Sequence, residues 1–306
     1  MNTMRIEIPE SFYQEEVRCD YTISTKMKKV WAEELKLYGI FQDICDKRGI
    51  HCFWAYGNLL GAARHQGFIP WDDDIDVFVS RKDYEKLCEV AAEDFETPYF
   101  FQNDRTDPGA HIAFGKLRNS MTTAILDFEA PSRYKYNQGI FLDIFPLDNV
   151  PDDPEELAIF TKEIAFWKRM TQKWARMFDA RTFYFGRNWM RATIPFMLIA
   201  KGIVKLLRIP NIPCRILEKT MQRYNDQETE CVCMLGLGEV KPYPRSCFDD
   251  TVMLPYEFLQ VPAPVGYLKM LDIDYGNWHQ FVRGAAGGNM HEGMTYDTER
   301  PYTDYL

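Results

Sequence analysis

Residues 56–79 constrain this chain more than any other stretch: Tyr56-Gly-Asn-Leu-Leu-Gly-Ala-Ala-Arg-His-Gln-Gly-Phe-Ile-Pro-Trp-Asp-Asp-Asp-Ile-Asp-Val-Phe-Val79. The run His51–Tyr56 reads as a short buried strand that breaks at Gly57-Asn58 into the first turns of a helix. After the turn-rich Gly67-Phe-Ile-Pro70, the segment Asp74–Val79 alternates as a strand does. Asp74 and Asp76 are two apart, so both carboxylates project from one face. Two carboxylates so close repel unless a cation sits between them. Oxygen-only ligands favour a hard ion, Mg²⁺ or Mn²⁺, completed by substrate phosphates.

Two further features extend the constellation. Gly57, upstream of the Asp pair, opens a helix whose first turn offers a phosphate unpaired N–H donors. A third carboxylate, Asp143, interrupts the apolar strand Gly139-Ile-Phe-Leu-Asp-Ile-Phe145, where an aspartate is costly unless paired or metal-bound. Taken singly, each has a bland reading: Asp72-Asp73-Asp74 as a solvated loop, Asp143 as a structural acceptor. In this order, separated by these elements, they point to a nucleotidyltransferase-type core.

The surrounding pattern is that of an α/β (α+β) protein with a mixed sheet and a mainly helical second half. Met27, Trp31, Leu35, Tyr38, Phe41 and Cys45 trace one helical stripe from Thr25 to Arg48, with Gly49 as its stop. Ser80-Arg-Lys-Asp83 resembles a capping box and starts a second stripe. Short strands are predicted near Tyr99–Gln102, Ile112–Leu117 and Gly139–Phe145. Asp153-Pro154-Glu155 starts a long helix, whose stripe runs from Leu157 through Phe160, Ile164, Trp167, Thr171 and Trp174 to Phe178. The division expected is a catalytic core over 24–150, a helical basic insertion over 151–245, and a segment over 246–306 that completes the core.

Charge is unevenly placed. The chain carries −9 overall, which argues against nucleic acid as a partner. Yet Lys168–Arg208 holds ten basic residues against one acid, beside the apolar run 189–208. That run is too interrupted by charge to cross a bilayer. It fits either an interfacial helix on an anionic membrane surface or a core hairpin. Eight scattered cysteines suit free thiols, and the N-terminus lacks a basic start followed by an apolar run, so a cytoplasmic setting is expected. Cys231-x-Cys233 with Cys247 lacks the usual zinc spacing.

Residues 57–76 match, almost throughout, the G-[ST]-L-L-G-x-x-R-H-x-G-F-I-P-W-D-D-D-I-D signature of the LicD family of phosphocholine transferases, relatives of fukutin and the fukutin-related protein. The family's later G-I-F-x-D-I-F-P-L-D block appears as Gly139–Asp148, with a looser echo at Pro264–Lys269 and Asp274–Trp278. The chain thus resembles that family strongly over about residues 30–150. One departure stands inside the block: Asn58 replaces the small hydroxyl residue, and its amide could still bond a phosphate.

The resemblance implies transfer of a phospho-alcohol group from a CDP-linked alcohol donor, CDP-choline above all, to a hydroxyl of a cell-surface glycan on a lipid carrier. Asp74, Asp76 and Asp143 would hold metal, with Asp143 also placed to draw the acceptor's proton. Gly57, Asn58, Arg64, His65, Trp71, Lys116 and Arg118 are candidate substrate-binding residues. Arg64 is a natural phosphate fork. His65 serves equally well as a turn residue, Trp71 is better explained by packing, and Lys116 and Arg118 could line a solvated strand face. The readings left open are a nucleotidyltransferase releasing pyrophosphate and a silent, membrane-bound scaffold in glycan assembly.

Overall fold

The structure is a computed structural model. It describes residues 6–125, 136–177, 209–281 and 295–305, with Phe196, Ile199, Gly202–Val204, Leu206 and Leu207. Most of the run 189–208, and Phe178 of the long stripe, lie outside the described residues.

A short hairpin, β1 (Glu16–Arg18) and β2 (Tyr21–Ile23), precedes helix α1 (Thr25–Arg48). The apolar stripe forms α1 as expected, between the Ser24 hydroxyl, which accepts from the Met27 N–H, and Gly49, left-handed at φ 59°. Then come β3 (Cys52–Trp54), α2 (Tyr56–His65), β4 (Asp76–Ser80), α3 (Arg81–Asp94), β5 (Tyr99–Gln102), β6 (Gly115–Asn119), β7 (Thr123–Ile125) and β8 (Ile140–Asn149). Ser80 caps α3 by accepting from the Asp83 N–H at 3.1 Å. Beyond α4 (Pro154–Met177) and α5 (Ile212–Met221) the chain returns to strands: β9 (Cys231–Met234), β10 (Tyr243–Pro244), and a β11 (Thr251–Tyr256) and β12 (Leu259–Pro264) hairpin. Helix α6 (Tyr267–Tyr275) and β13 (Thr295–Asp297), paired with β7, follow.

Seven strands make the main mixed sheet. The ten-residue β8 is its spine: β4 lies parallel along one edge, while β6 and β9 share the other, antiparallel to its two halves. Alternation along β4 and β8 splits the buried residues between two faces. Val77, Val79, Leu142 and Ile144 pack with Trp31, Leu35 and Phe41 of α1. Phe78 and Phe145 pack on the other face with Phe114, Met234, Tyr243 and Met270.

The strand expected from Asp74 begins two residues later, at Asp76. Extended pairing nevertheless reaches back, because the Asp143 N–H donates to the Ile75 carbonyl at 2.8 Å. The strand expected at Ile112–Leu117 is displaced to Gly115–Asn119, since His111 turns the chain with φ 54°. All eight cysteines are free, five of them buried.

Candidate active site

The register of three strands builds the site. Asp76 on β4 stands opposite Asp143 on β8, and Asp143 stands opposite Lys116 on β6. Cross-strand partners lie side by side on one face, so the three side chains form a row. The Lys116 ammonium closes one end, 2.5 Å from Asp143 Oδ1, and sits 3.6 Å from the centre of the Phe141 ring. Asp143 is therefore 7% exposed yet compensated.

Asp76 is less comfortable. Burial pushes its carboxyl well above the ordinary range, and the charges of Asp74, Asp143 and Asp72 push it further against the pull of Lys116. Glu34 of α1 is driven up in the same way, by burial and then by Asp74, Asp73, Asp72 and Asp76. It is 2% exposed, and its Oε2 has no hydrogen-bond partner. Sequence reasoning missed it, although the clue is present: a carboxylate three residues after Trp31 and four before Tyr38, on the apolar stripe.

The acidic run is not a solvated loop. The Trp31 indole N–H donates to the Asp72 carbonyl at 2.9 Å. The Tyr296 hydroxyl donates to Asp73 Oδ2 at 2.9 Å. Asn58 holds the rest: Nδ2 donates to the Asp74 carbonyl at 2.8 Å, and Oδ1 accepts from the Asp76 N–H at 2.7 Å. The same Nδ2 reaches the Tyr256 hydroxyl at 3.3 Å. Gly57, in the first turn of α2, leaves room for this loop, because a Cβ there would run into the Asp72 carboxylate.

Not every expected residue reaches the row. The amide of Asn58, 1% exposed, is engaged within the protein, so it braces the Asp74–Asp76 backbone in place of meeting a phosphate. Arg64 donates to the Trp278 carbonyl at 2.8 Å and lies over the Phe281 ring at 4.8 Å, tying the end of α2 to the C-terminal segment. His65 packs edge-on against the same ring; burial, then Arg64 and Arg18, hold it down to about 4, so it is neutral. Trp71 packs edge-to-face on Tyr21. Arg118, 3% exposed, donates to Gln102 Oε1 and to the Gly139 carbonyl, both at 2.6 Å, so its fork is occupied in the core.

The donor set suits a hard divalent cation: oxygen ligands only, crowded enough to raise one another's carboxyls. Among the described residues no three His, Cys, Asp or Glu side chains close into a ready-made metal cage. That matches the habit of Mg²⁺, which takes one or two carboxylates and completes its shell with water and substrate phosphates.

The LicD/FKTN/FKRP nucleotidyltransferase domain family matches residues 49–192, a span that includes the whole row. The chain is also 30% identical over 265 residues to the lipopolysaccharide cholinephosphotransferase LicD of Haemophilus influenzae, covering 82% of this chain and 92% of that protein. The chain belongs to the LicD family. Membership makes it a phosphotransferase. Two uncharacterised rickettsial proteins share shorter stretches: one from Rickettsia prowazekii at 30% identity (39% of this chain, 41% of its own), and one from Rickettsia typhi at 39% identity (21% and 19%). Along the H. influenzae relative the likeness runs well beyond the signature blocks.

Proposed function

We propose that this LicD-family protein transfers a phospho-alcohol group, phosphocholine first among candidates, from a CDP-activated donor to a hydroxyl of a surface glycan. The observation that carries the reading is the Asp76–Asp143–Lys116 row with the acidic loop pinned beside it. Asp74, Asp76 and Asp143 are the residues to hold Mg²⁺ or Mn²⁺. Such an ion, when bound, stabilises charge on the transferring phosphoryl group and the departing nucleoside monophosphate. Lys116 adds a fixed positive charge in the same row, drawing an anionic donor and holding Asp143 in place. Asn58, Trp31 and Tyr296 fix the loop so that its carboxylates need not reorganise during transfer. Arg64 and His65 act at one remove, by holding the end of α2 against residues 278–281.

Acceptors built on lipid carriers place such an enzyme at a membrane, here the cytoplasmic face. Among the described residues no helix is long and apolar enough to cross one. Phe196, Ile199, Ile203, Leu206 and Leu207 are exposed, at a spacing that suits peripheral docking.

The test is a screen of CDP-linked alcohols with Mg²⁺ or Mn²⁺ and a glycan acceptor, following nucleoside monophosphate release. CMP formed together with phosphocholine on the glycan supports the reading. Pyrophosphate as product replaces it with nucleotidyl transfer, and cation binding without turnover on any donor replaces it with a scaffold role.

A further inference from the structure

The motif at Asp274–Trp278 has no part in the chemistry set out above, although α6 carries it to the flank of the site. Asp274 stands in the last turn of α6, half-buried, and both its oxygens accept from the Tyr243 hydroxyl, at 2.8 and 3.0 Å. Tyr243 is 1% exposed, with its ring against Phe78 at 5.9 Å. Its hydroxyl meets that of Tyr56, whose ring is fixed by Phe78 at 4.9 Å and Phe145 at 5.7 Å.

Tyr56 occupies the turn between β3 and α2. Its neighbour Ala55 donates through the backbone N–H to the Asp76 carbonyl at 3.0 Å, and the Tyr56 hydroxyl feels the charges of both Asp274 and Asp76. Its backbone is left-handed, φ 44°, which for a bulky residue costs on the order of 1–3 kcal/mol and persists only where the surroundings impose it. A line of hydroxyls therefore joins a half-buried carboxylate to the turn beside the acidic row. Asp143, the other candidate to take a proton, is engaged by Lys116.

We propose that Tyr56, Tyr243 and Asp274 form the path by which the acceptor hydroxyl loses its proton, with Tyr56 touching the acceptor and the other two positioning and receiving. The inference rests on the transferase reading above. As the acceptor oxygen bonds to phosphorus and the bond to the nucleoside monophosphate breaks, the hydroxyl proton passes to the Tyr56 oxygen. The Tyr56 proton passes to Tyr243, and that of Tyr243 to the Asp274 carboxylate, from which it leaves to solvent. The leaving group departs with the negative charge, so protons and electrons balance.

The electrostatics agree. Burial raises Asp274 to about 6, against the Tyr243 hydrogen bond and the Lys241 charge. A proton acceptor works best near the operating pH. The groups that face Asp274 are Tyr243, Lys241, Tyr56, Cys233 and Tyr275. The first listed influence on both tyrosines is burial, which keeps their hydroxyls protonated and able to hand a proton on.

The experiment compares the full chain with D274N and Y243F, using CDP-choline, a divalent cation and a glycan acceptor, over pH 5–9. Wild-type kcat is expected to rise through pH 6 and level above it. Both variants should lose kcat by about 100-fold, the lower end for general acid–base catalysis. Donor KM should stay close to wild type, and the acid limb should vanish. Y243F keeps the ring and its packing, so it stands in if D274N does not fold. Wild-type kcat with an unchanged acid limb in either variant overturns the path alone. A wild type that turns over no CDP-linked donor overturns both the path and the functional reading beneath it.

Discussion

Replacing Asn58 by alanine is the sharpest test of how the acidic loop is held. The side chain makes two short bonds, to the Asp74 carbonyl at 2.8 Å and from the Asp76 N–H at 2.7 Å, and a long one to Tyr256 at 3.3 Å. At 1% exposure, water does not take its place readily. Leaving a buried donor or acceptor without its partner costs about 1–3 kcal/mol each, so the two short bonds together represent about 2–6 kcal/mol. Against a total stability of about 5–15 kcal/mol that is a large loss. Urea unfolding followed by circular dichroism should show a clearly lower midpoint, and turnover should fall with it because Asp74 and Asp76 lose their register. Asn58→Ser, which restores the residue type of the family signature, keeps one hydroxyl and should recover part of both losses. Asn58→Asp sets an oxygen against the Asp74 carbonyl and should behave more like alanine. An alanine variant within 1 kcal/mol of wild type, an estimate below the cost of a single orphaned group, and with full turnover, would refute the bracing role.

Asp76→Asn should lower kcat at least about 100-fold, the scale for losing one preorganised charge-stabilising group. The same change should raise the melting temperature in chelator, because it removes one of the crowded carboxylates; a fall would contradict the repulsion described here. Chelation should stop turnover and Mg²⁺ or Mn²⁺ restore it, with a larger cation-induced thermal shift at pH 7.5 than at 5.5. The sign follows from Asp76: its raised carboxyl holds a proton on the acid side, and that proton competes with the cation. Gly57→Ala should keep the fold and lower turnover by up to about 100-fold, since displacing Asp72 by about 1 Å is enough for that. Changing Arg187, Arg191, Lys201 and Lys205, which lie outside the described residues, to glutamine should weaken co-sedimentation with anionic vesicles at low salt; two proteins that both stay in the supernatant would end the membrane proposal.

The parts of the fold that were legible in the sequence are those set by local periodicity. The stripe from Met27 to Cys45 gave a helix with the expected ends because Ser24 and Gly49 satisfy its termini over a few residues. The alternation around Asp76 and the carboxylate inside β8 placed two strands whose pairing aligns Asp76 with Asp143. What could not be read is the choice of side-chain partner across long separations. Asn58 meets Tyr256, Arg64 meets Trp278 and Asp73 meets Tyr296, all some two hundred residues apart. Arg118 looked as available as Lys116, two residues away. Only the fold shows Gln102 and Gly139 filling its fork.

These distant partners explain why a loop of like charges persists at all. Asp72, Asp73, Asp74, Asp76 and Glu34 repel one another, as the upward push on Asp76 and Glu34 records. An isolated loop would relieve that by opening into water. Here Trp31, Tyr296 and Asn58 grip backbone and side chain from α1, β13 and α2, while Lys116 neutralises only the far end of the row. The repulsion is thus retained in the folded state at the expense of stability. A bound cation would relieve it at the positions where transferred phosphate needs positive charge. Ligand affinity and the destabilisation of the empty site are then the same electrostatic quantity viewed from two sides.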